Sequence, residues 1–467
     1  MKHKLYIITL LIAIAMAGGG CRKFLQTPPG NVASLADVFN NFEGARTAMV
    51  GCYDKLKASD YYLRDFYAYP ELTGGNIKYA YTKKPVLSNV YNFIGQGGTS
   101  DMDGFYSEAY SLIYSTNNAL ENVQYATDAT PAQKNRMLAD AYAIRALAYF
   151  DLSRVFCQNY AYTPDASHLG LVIKNKNTFG LPPLNDTATV KQVYAQIIND
   201  FDSALARYAN STDIYNTGSP RTWMNPDAVN ALLARVCLYK GDYAKAYSLS
   251  MALINSKKYP LITNSNYNAS WSKKNISSES IFELAFGSGT GGSYGDYFNV
   301  FAPKSLYLQF AATNDLLSLY DPADVRGHDY LYQDTVFDSK TYSFCKKYYG
   351  TFDSSNNIKV IRASELYFIA AEAAVQIDPA NGLSTAATLL DVIRKRANPA
   401  APFFTATTKQ AMLDEIFTER RRELCYEGHL FFDISRMKRN LVRIDCTSAS
   451  ASFTYPNWRY AYPRVIF

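Results

Sequence analysis

The sequence predicts a mainly α-helical protein, in which helix pairs form a scaffold and long loop-rich excursions with few short strands lie to one side. Three observations predict this. Apolar residues recur at three- and four-residue spacing through several long stretches. Short Gly-containing turns join neighbouring stretches that carry small residues at their contact positions. The segments between them, rich in Gly, Asn, Ser and Tyr, far exceed the ~4–6 residues usual for a connection, and their aromatic content argues against disorder. With 467 residues, the chain exceeds the ~250–300 at which single cores stop growing, so two domains or one elongated repeat-built body is expected.

The chain opens with "MKHKLYIITLLIAIAMAGGGCRKF". Lys2 and Lys4 form a positive n-region, Leu5 to Ala17 an apolar h-region, and small residues lead to Cys21. Residues 1–20 thus read as an export signal, too short to span a bilayer as a stable helix. A cysteine after small residues resembles a bacterial lipoprotein signal, making Cys21 the lipid-bearing residue, although Gly18 stands where a large aliphatic is usual. An ordinary signal peptide with an incidental cysteine is the alternative.

The helices follow in order. Residues 130–156 begin with the cap Thr130 and with Pro131 at the first helical position, and Met137, Ala141, Ile144, Ala148 and Leu152 make one apolar stripe. Residues 189–208 repeat the pattern through Val193, Ile197, Phe201, Ala204 and Leu205. Residues 225–256 read as helix, Lys-Gly-Asp turn, helix. There Ala231, Ala234 and Ala246 allow close approach, and Gly241 with Tyr243 resembles the turn of a tetratricopeptide repeat. Residues 361–376 and 382–398 form another such pair. The excursions fall at about 60–101, 157–188, 257–300 and 320–358.

Composition narrows the function. The net charge of +6 is modest and its basic residues are interspersed with acids, so nucleic acid is not a suggested partner. Cysteines 52, 157, 237, 345, 425 and 446 are scattered without a CxxC pair and read as buried free thiols, a disulfide between a suitable pair in an exported protein being the alternative. Four histidines without an HExxH or paired-Cys spacing make a dedicated zinc site improbable, the Asp-rich loops could coordinate a calcium ion, and no metal or other cofactor is assigned. The 39 tyrosines against 3 tryptophans suit half-wet surfaces as well as cores.

The stretch "ERRRELCYEGHLFFDISRMKR" (419–439) has the character of an active site. Leu413, Ile416, Phe417 and Leu424 define an apolar helix face that also carries Arg420, and a buried arginine needs a partner, with Glu423 or Glu427 within reach. Glu365 and Glu372 are candidate partners for Arg422 or Arg436. A pair of glycosidase carboxylates is the functional alternative. Interleaved arginines would keep these acids ionised, whereas a general acid needs a raised pKa, so an internal electrostatic brace is favoured, with His429 a packing residue after Gly428.

A sugar is gripped by aromatic faces and by polar groups on its hydroxyls. Two clusters offer both: Arg64, Asp65, Asn76, Tyr79 and Tyr81 within 61–84, and Tyr267, Trp271, Tyr294 and Tyr297 within 265–301.

Several stretches together resemble the SusD/RagB family of outer-membrane nutrient-uptake lipoproteins. They are "CRKFLQTPPGNVAS", "YSLIYSTNNALENV" with Asn117 and Asn118, "AYAIRALAYFDLSRVF", "IRASELYFIAAEA" and the 419–439 stretch. They run in order from residue 21 to about 440, with departures at Leu430, Phe431 and Met437 and a short C-terminal segment after Pro463. The resemblance implies a single domain over 21–467, built of four tetratricopeptide-like helix pairs beneath a loop-rich, ligand-facing half. It also implies a non-enzymatic surface lipoprotein that binds a nutrient, most often a glycan, and passes it to a SusC-like TonB-dependent β-barrel in the outer membrane. A helical-repeat adaptor of an envelope complex, without a glycan ligand, is the rival reading, and a surface glycosidase is a third.

Overall fold

The computed structural model describes residues 34–80, 86–94, 101–177, 187–216, 218–271, 276–285, 310–347, 357–446 and 451–455. Its principal helices are α1 (Phe42–Leu56), α2 (Asp65–Gly74), α3 (Asp103–Asn122), α4 (Pro131–Phe156), α5 (Val190–Tyr208), α6 (Pro226–Lys240), α7 (Tyr243–Asn255), α8 (Ala363–Ile377), α9 (Gly382–Ala397), α10 (Lys409–Leu424) and α11 (Leu430–Arg436). Consecutive long helices pack side by side: α3 on α4, α4 on α5, α6 on α7, α7 on α8 and α8 on α9, with α10 across α8 and α9.

Local chemistry sets the helix ends. Thr130 and Thr189 each accept from the backbone N–H three residues on, while Gln133 and Gln192 reach back to the cap N–H, two reciprocal capping boxes. Asn225 caps α6 ahead of Pro226. Gly241 closes α6 at φ 85°, a left-handed conformation in which a Cβ would be strained, and Asp242 caps α7. The α6–α7 hairpin is thus specified within a few residues.

Five two-stranded antiparallel sheets complete the described residues. The strands are β1 (Ile77–Tyr79), β2 (Leu169–Val172), β3 (Thr187–Thr189), β4 (Ser280–Leu284), β5 (Phe310–Ala312), β6 (Tyr332–Phe337), β7 (Lys340–Cys345), β8 (Ile358–Arg362), β9 (Leu441–Arg443) and β10 (Ala451–Phe453). The β4–β8 pair is wholly buried, and β8 runs straight into α8 with Arg362 at the junction. The β6–β7 hairpin turns through Asp338 and Ser339, both at positive φ.

The structure corrects the reading of 60–101 as an excursion, because α2 occupies 65–74 and every one of its residues is buried. A helix covered on all sides has no polar face, hence no 3.6-residue alternation to find. Around it sits much of the tyrosine content: Tyr61 and Tyr62 stack at 4.8 Å and both donate to buried Asp151 at 2.7 Å, beside Phe66, Phe105 and Phe432. The six cysteines beyond Cys21 are buried free thiols. Among the described residues no helix is long and apolar enough to cross a membrane.

Candidate functional site

The 419–439 stretch is α10, a turn and α11, and its charges meet cations carried in from distant elements. Arg362 is the hub. Its Nε donates to Glu427 Oε2 at 2.7 Å, its NH1 to Glu279 and Glu423 at 2.7 Å each, and its NH2 to Glu427 Oε1 at 2.8 Å. Lys347 donates to Glu427 Oε1 at 2.7 Å and to the carbonyls of Glu423 and Cys425. Arg396 and Arg326 reach the same Glu423 carboxylate at 2.5 and 3.0 Å, and Arg326 also pairs with Glu419 and Asp324 at 2.7 Å. All these groups are buried.

The pairing differs in detail from the expected one. Arg420 bonds Asp433 at 3.0 Å and lies 3.9 Å from Glu365, instead of meeting Glu423 or Glu427. Glu365 is gripped by Arg235 from α6 through two bonds, while Glu372 takes both guanidinium arms of Arg436. Arg422 turns to Glu419 and Glu415 on its own helix.

Burial by itself would push the Glu423 carboxyl up. Arg396, Arg362, Arg326 and Lys347 together outweigh it and hold the group well below the ordinary glutamate value. Burial is likewise outweighed at Glu427 by Arg362 and Lys347, at Glu365 by Arg235, and at Asp433 by Arg420 and Arg436. His429 is pushed down by burial and by the neighbouring Arg235 and Arg420. Buried carboxylates whose pKa is lowered by surrounding cations are poorly suited to donate a proton to a leaving group; they can hold α6, α8, α10, α11 and the β4–β8 pair in register. Among the described residues no cluster of acidic, histidine or cysteine side chains is arranged to hold a metal ion.

The sites expected of a sugar platform divide. Tyr81, Tyr294 and Tyr297 lie outside the described residues, as does the anchor candidate Cys21. Of the other six, Asp65, Asn76, Tyr79, Tyr267 and Trp271 are buried and Arg64 is half-buried. Trp271 is 2% exposed, and its ring lies beneath Lys359, Lys347 and Arg362 at 4.4, 4.8 and 5.4 Å, forming the lid of the charge network. Tyr267 is buried with Arg396 over its ring at 4.7 Å. Tyr79 packs edge-on against Tyr91 and donates to the Val86 carbonyl at 2.5 Å. Asn76 donates to Glu71 and accepts from Arg421 Nε at 2.7 Å. Arg64 pairs with Asp65 at 2.5 Å, and burial raises the Asp65 carboxyl to about 6 against that pairing. In this conformation these six side chains serve the interior.

Two clefts were not anticipated. The larger, about 870 Å³, lies where the α6–α7 turn meets α8, α10 and α11. Three of its lining arginines are paired: Arg436 with Glu372, Arg421 with Asp315 and Arg439 with Asp414. The second, about 700 Å³, lies between α3, α4, the end of α5 and the loop before residue 178. Each is assembled from several separate segments, so no one stretch of sequence signals it.

Comparison with known proteins adds a frame to this geometry. Residues 328–458 match a family model described as the SusD family. Residues 78–238 match one described as starch-binding associating with outer membrane. A SusD-like protein P38 of Formosa agariphila is 26% identical over 267 residues, which span 56% of this chain and about half, 48%, of that relative. A SusD superfamily protein from Bacteroides vulgatus shares 27% identity with a TM-score of 0.76, covering 90% of this chain and 93% of its own. Surface glycan-binding protein A of Bacteroides uniformis, at 19% identity, shares the fold with a TM-score of 0.72 over 90% of this chain and 95% of its own.

Proposed function

Because the chain belongs to the SusD/RagB family, we propose that it captures an oligosaccharide at the cell surface and delivers it to a SusC-like TonB-dependent β-barrel, held to the outer membrane by a lipid on Cys21. Proteins of this family bind without catalysing a reaction. The observation that supports the reading most is the ordered match of both family models, one described as starch-binding and outer-membrane-associated, on a chain whose helical scaffold follows a SusD superfamily structure along nine-tenths of its length. The charge network supports it from the other side, because the acids that might have been catalytic are consumed as interior ion pairs. The sugar-stacking role belongs, in this proposal, to Tyr81, Tyr294 and Tyr297, with Arg64, Asp65, Asn76, Tyr79, Tyr267 and Trp271 supporting the loops from within.

The test is a gentle-detergent pull-down of the tagged full-length protein from its own outer membranes, followed by mass spectrometry. A TonB-dependent barrel in near-equal amount is the expected result. Recovery of the protein alone, or with unrelated envelope proteins, would overturn the transporter partnership and favour the adaptor reading.

A further inference from the structure

The structure points to a second binding site, which we infer takes an acidic saccharide, one bearing uronate or sulfate groups, in the cleft between α3, α4 and the 174–177 loop. The inference rests on the saccharide reading above but concerns a surface apart from the two aromatic clusters expected to grip a sugar. The cleft holds about 700 Å³, within the ~300–1,000 Å³ of small-ligand sites. Tyr125, just beyond α3, is 60% exposed at its rim, and half-buried Tyr142 of α4 lies in its wall with the Arg145 guanidinium 5.4 Å from the ring centroid. Two phenol rings offer the flat faces on which sugar C–H surfaces pack, with hydroxyls at their edges.

The opposite wall is irregular backbone, yet it is fixed by buried side chains. Tyr149 donates to the Lys174 carbonyl at 2.9 Å and accepts from the Lys174 N–H at 2.6 Å. Asn117 also donates to that carbonyl, and Arg145 NH1 donates to the Asn175 carbonyl at 3.3 Å. Asn177 donates its backbone N–H to Glu121 and its amide to the Tyr114 carbonyl. Arg145 is itself clamped by buried Asp200 through two bonds of 2.7 and 2.8 Å. A wall held this way loses little further freedom when a ligand docks against it.

Charge selects the ligand class. Lys176 and Arg207 are exposed in the cleft, and among the described residues neither has a carboxylate within ion-pair distance; Arg207 donates only to the Asn135 amide oxygen, at 3.1 Å. Lys134 nearby donates to the Gln124 carbonyl at 2.9 Å and has no ion pair among the described residues. Against these cations the described lining carries one carboxylate, Glu121, already accepting from Asn177. Half-buried Leu120 and Leu138 supply too little apolar surface for a protein helix. Two rings, amide groups and a surplus of positive charge match a sugar carrying carboxylate or sulfate.

The test is calorimetric titration of the full chain with hexagalacturonate and with a sulfated κ-carrageenan hexasaccharide. It is repeated on Tyr125→Ala and on the double variant Lys176→Glu/Arg207→Glu, all at exposed positions, with thermal melts confirming the fold. The expected result is binding of at least one probe, weakened tenfold or more in each variant and falling as salt is raised. Variants that bind as tightly as the parent would overturn the cleft and move the sugar elsewhere, leaving the saccharide reading intact. A parent that binds neither acidic probe would also overturn the cleft. Neutral polysaccharides titrated in parallel then decide separately whether the chain binds glycans at all.

Discussion

Glu423→Gln is the substitution that should cost this fold most per atom changed. The side chain keeps its shape and one amide oxygen but loses the charge toward which Arg362, Arg396 and Arg326 converge at 2.7, 2.5 and 3.0 Å. Three buried guanidinium groups then share acceptors already used by Glu279, Glu419 and Glu427 partners, and the new amide N–H₂ points donors at donors. Removing one partner of a buried pair typically costs ~3–5 kcal/mol, so about 4 kcal/mol is expected, a large part of the ~5–15 kcal/mol that holds a native protein. With an unfolding entropy of ~2.1 cal/mol/K per residue over 467 residues, cooperative unfolding would convert this into a fall in Tm of roughly 4 °C. Urea unfolding at constant m-value and calorimetry should agree on it, and Glu43→Gln, at an exposed i,i+3 pair, should change stability by less than about 0.5 kcal/mol. A Glu423→Gln loss no larger than that control would refute the argument that this carboxylate balances three buried cations.

The same residue carries a pH signature. Its folded pKa is depressed, so its contribution is complete above the unfolded value of ~4.3 and is lost only as pH falls through the lower folded value. The stability gap between parent and Glu423→Gln should therefore hold from pH 7 to about pH 5 and close progressively in stronger acid; closure between pH 7 and about pH 5, read by urea titration, would contradict it. Trp271→Ala should destabilise by ~3–5 kcal/mol, because the ring is buried beneath three cations, and a melt unchanged from the parent would show that the ring is not part of the interior. Gly382→Ala should cost ~1–3 kcal/mol, since an added Cβ would overlap the Ala374 carbonyl at the α8–α9 turn; equilibrium unfolding of the variant would show no loss if the turn can relax.

By itself the sequence determined the helical scaffold, because its signals are local. The Thr130 and Thr189 caps, Pro131, Pro226 and Gly241 act within one turn, and the stripe from Met137 to Leu152 repeats every three or four residues. The burial of Arg420 was legible too, since it shares an apolar helix face with Leu413, Ile416, Phe417 and Leu424. Which carboxylate each arginine takes was not legible. Arg326 meets Glu423 across 97 residues and Asn76 meets Arg421 across 345, distances over which no spacing rule operates. Tertiary structure likewise decided the fate of α2, which has no polar face to betray it, and of Trp271 and Tyr267, whose aromatic rings suit a sugar and a buried cation equally well. Tyr125, Tyr142, Lys176 and Arg207 share no motif because four separate segments bring them together; only the packing of α3, α4 and α5, with the Arg145–Asp200 clamp inside it, makes them one surface.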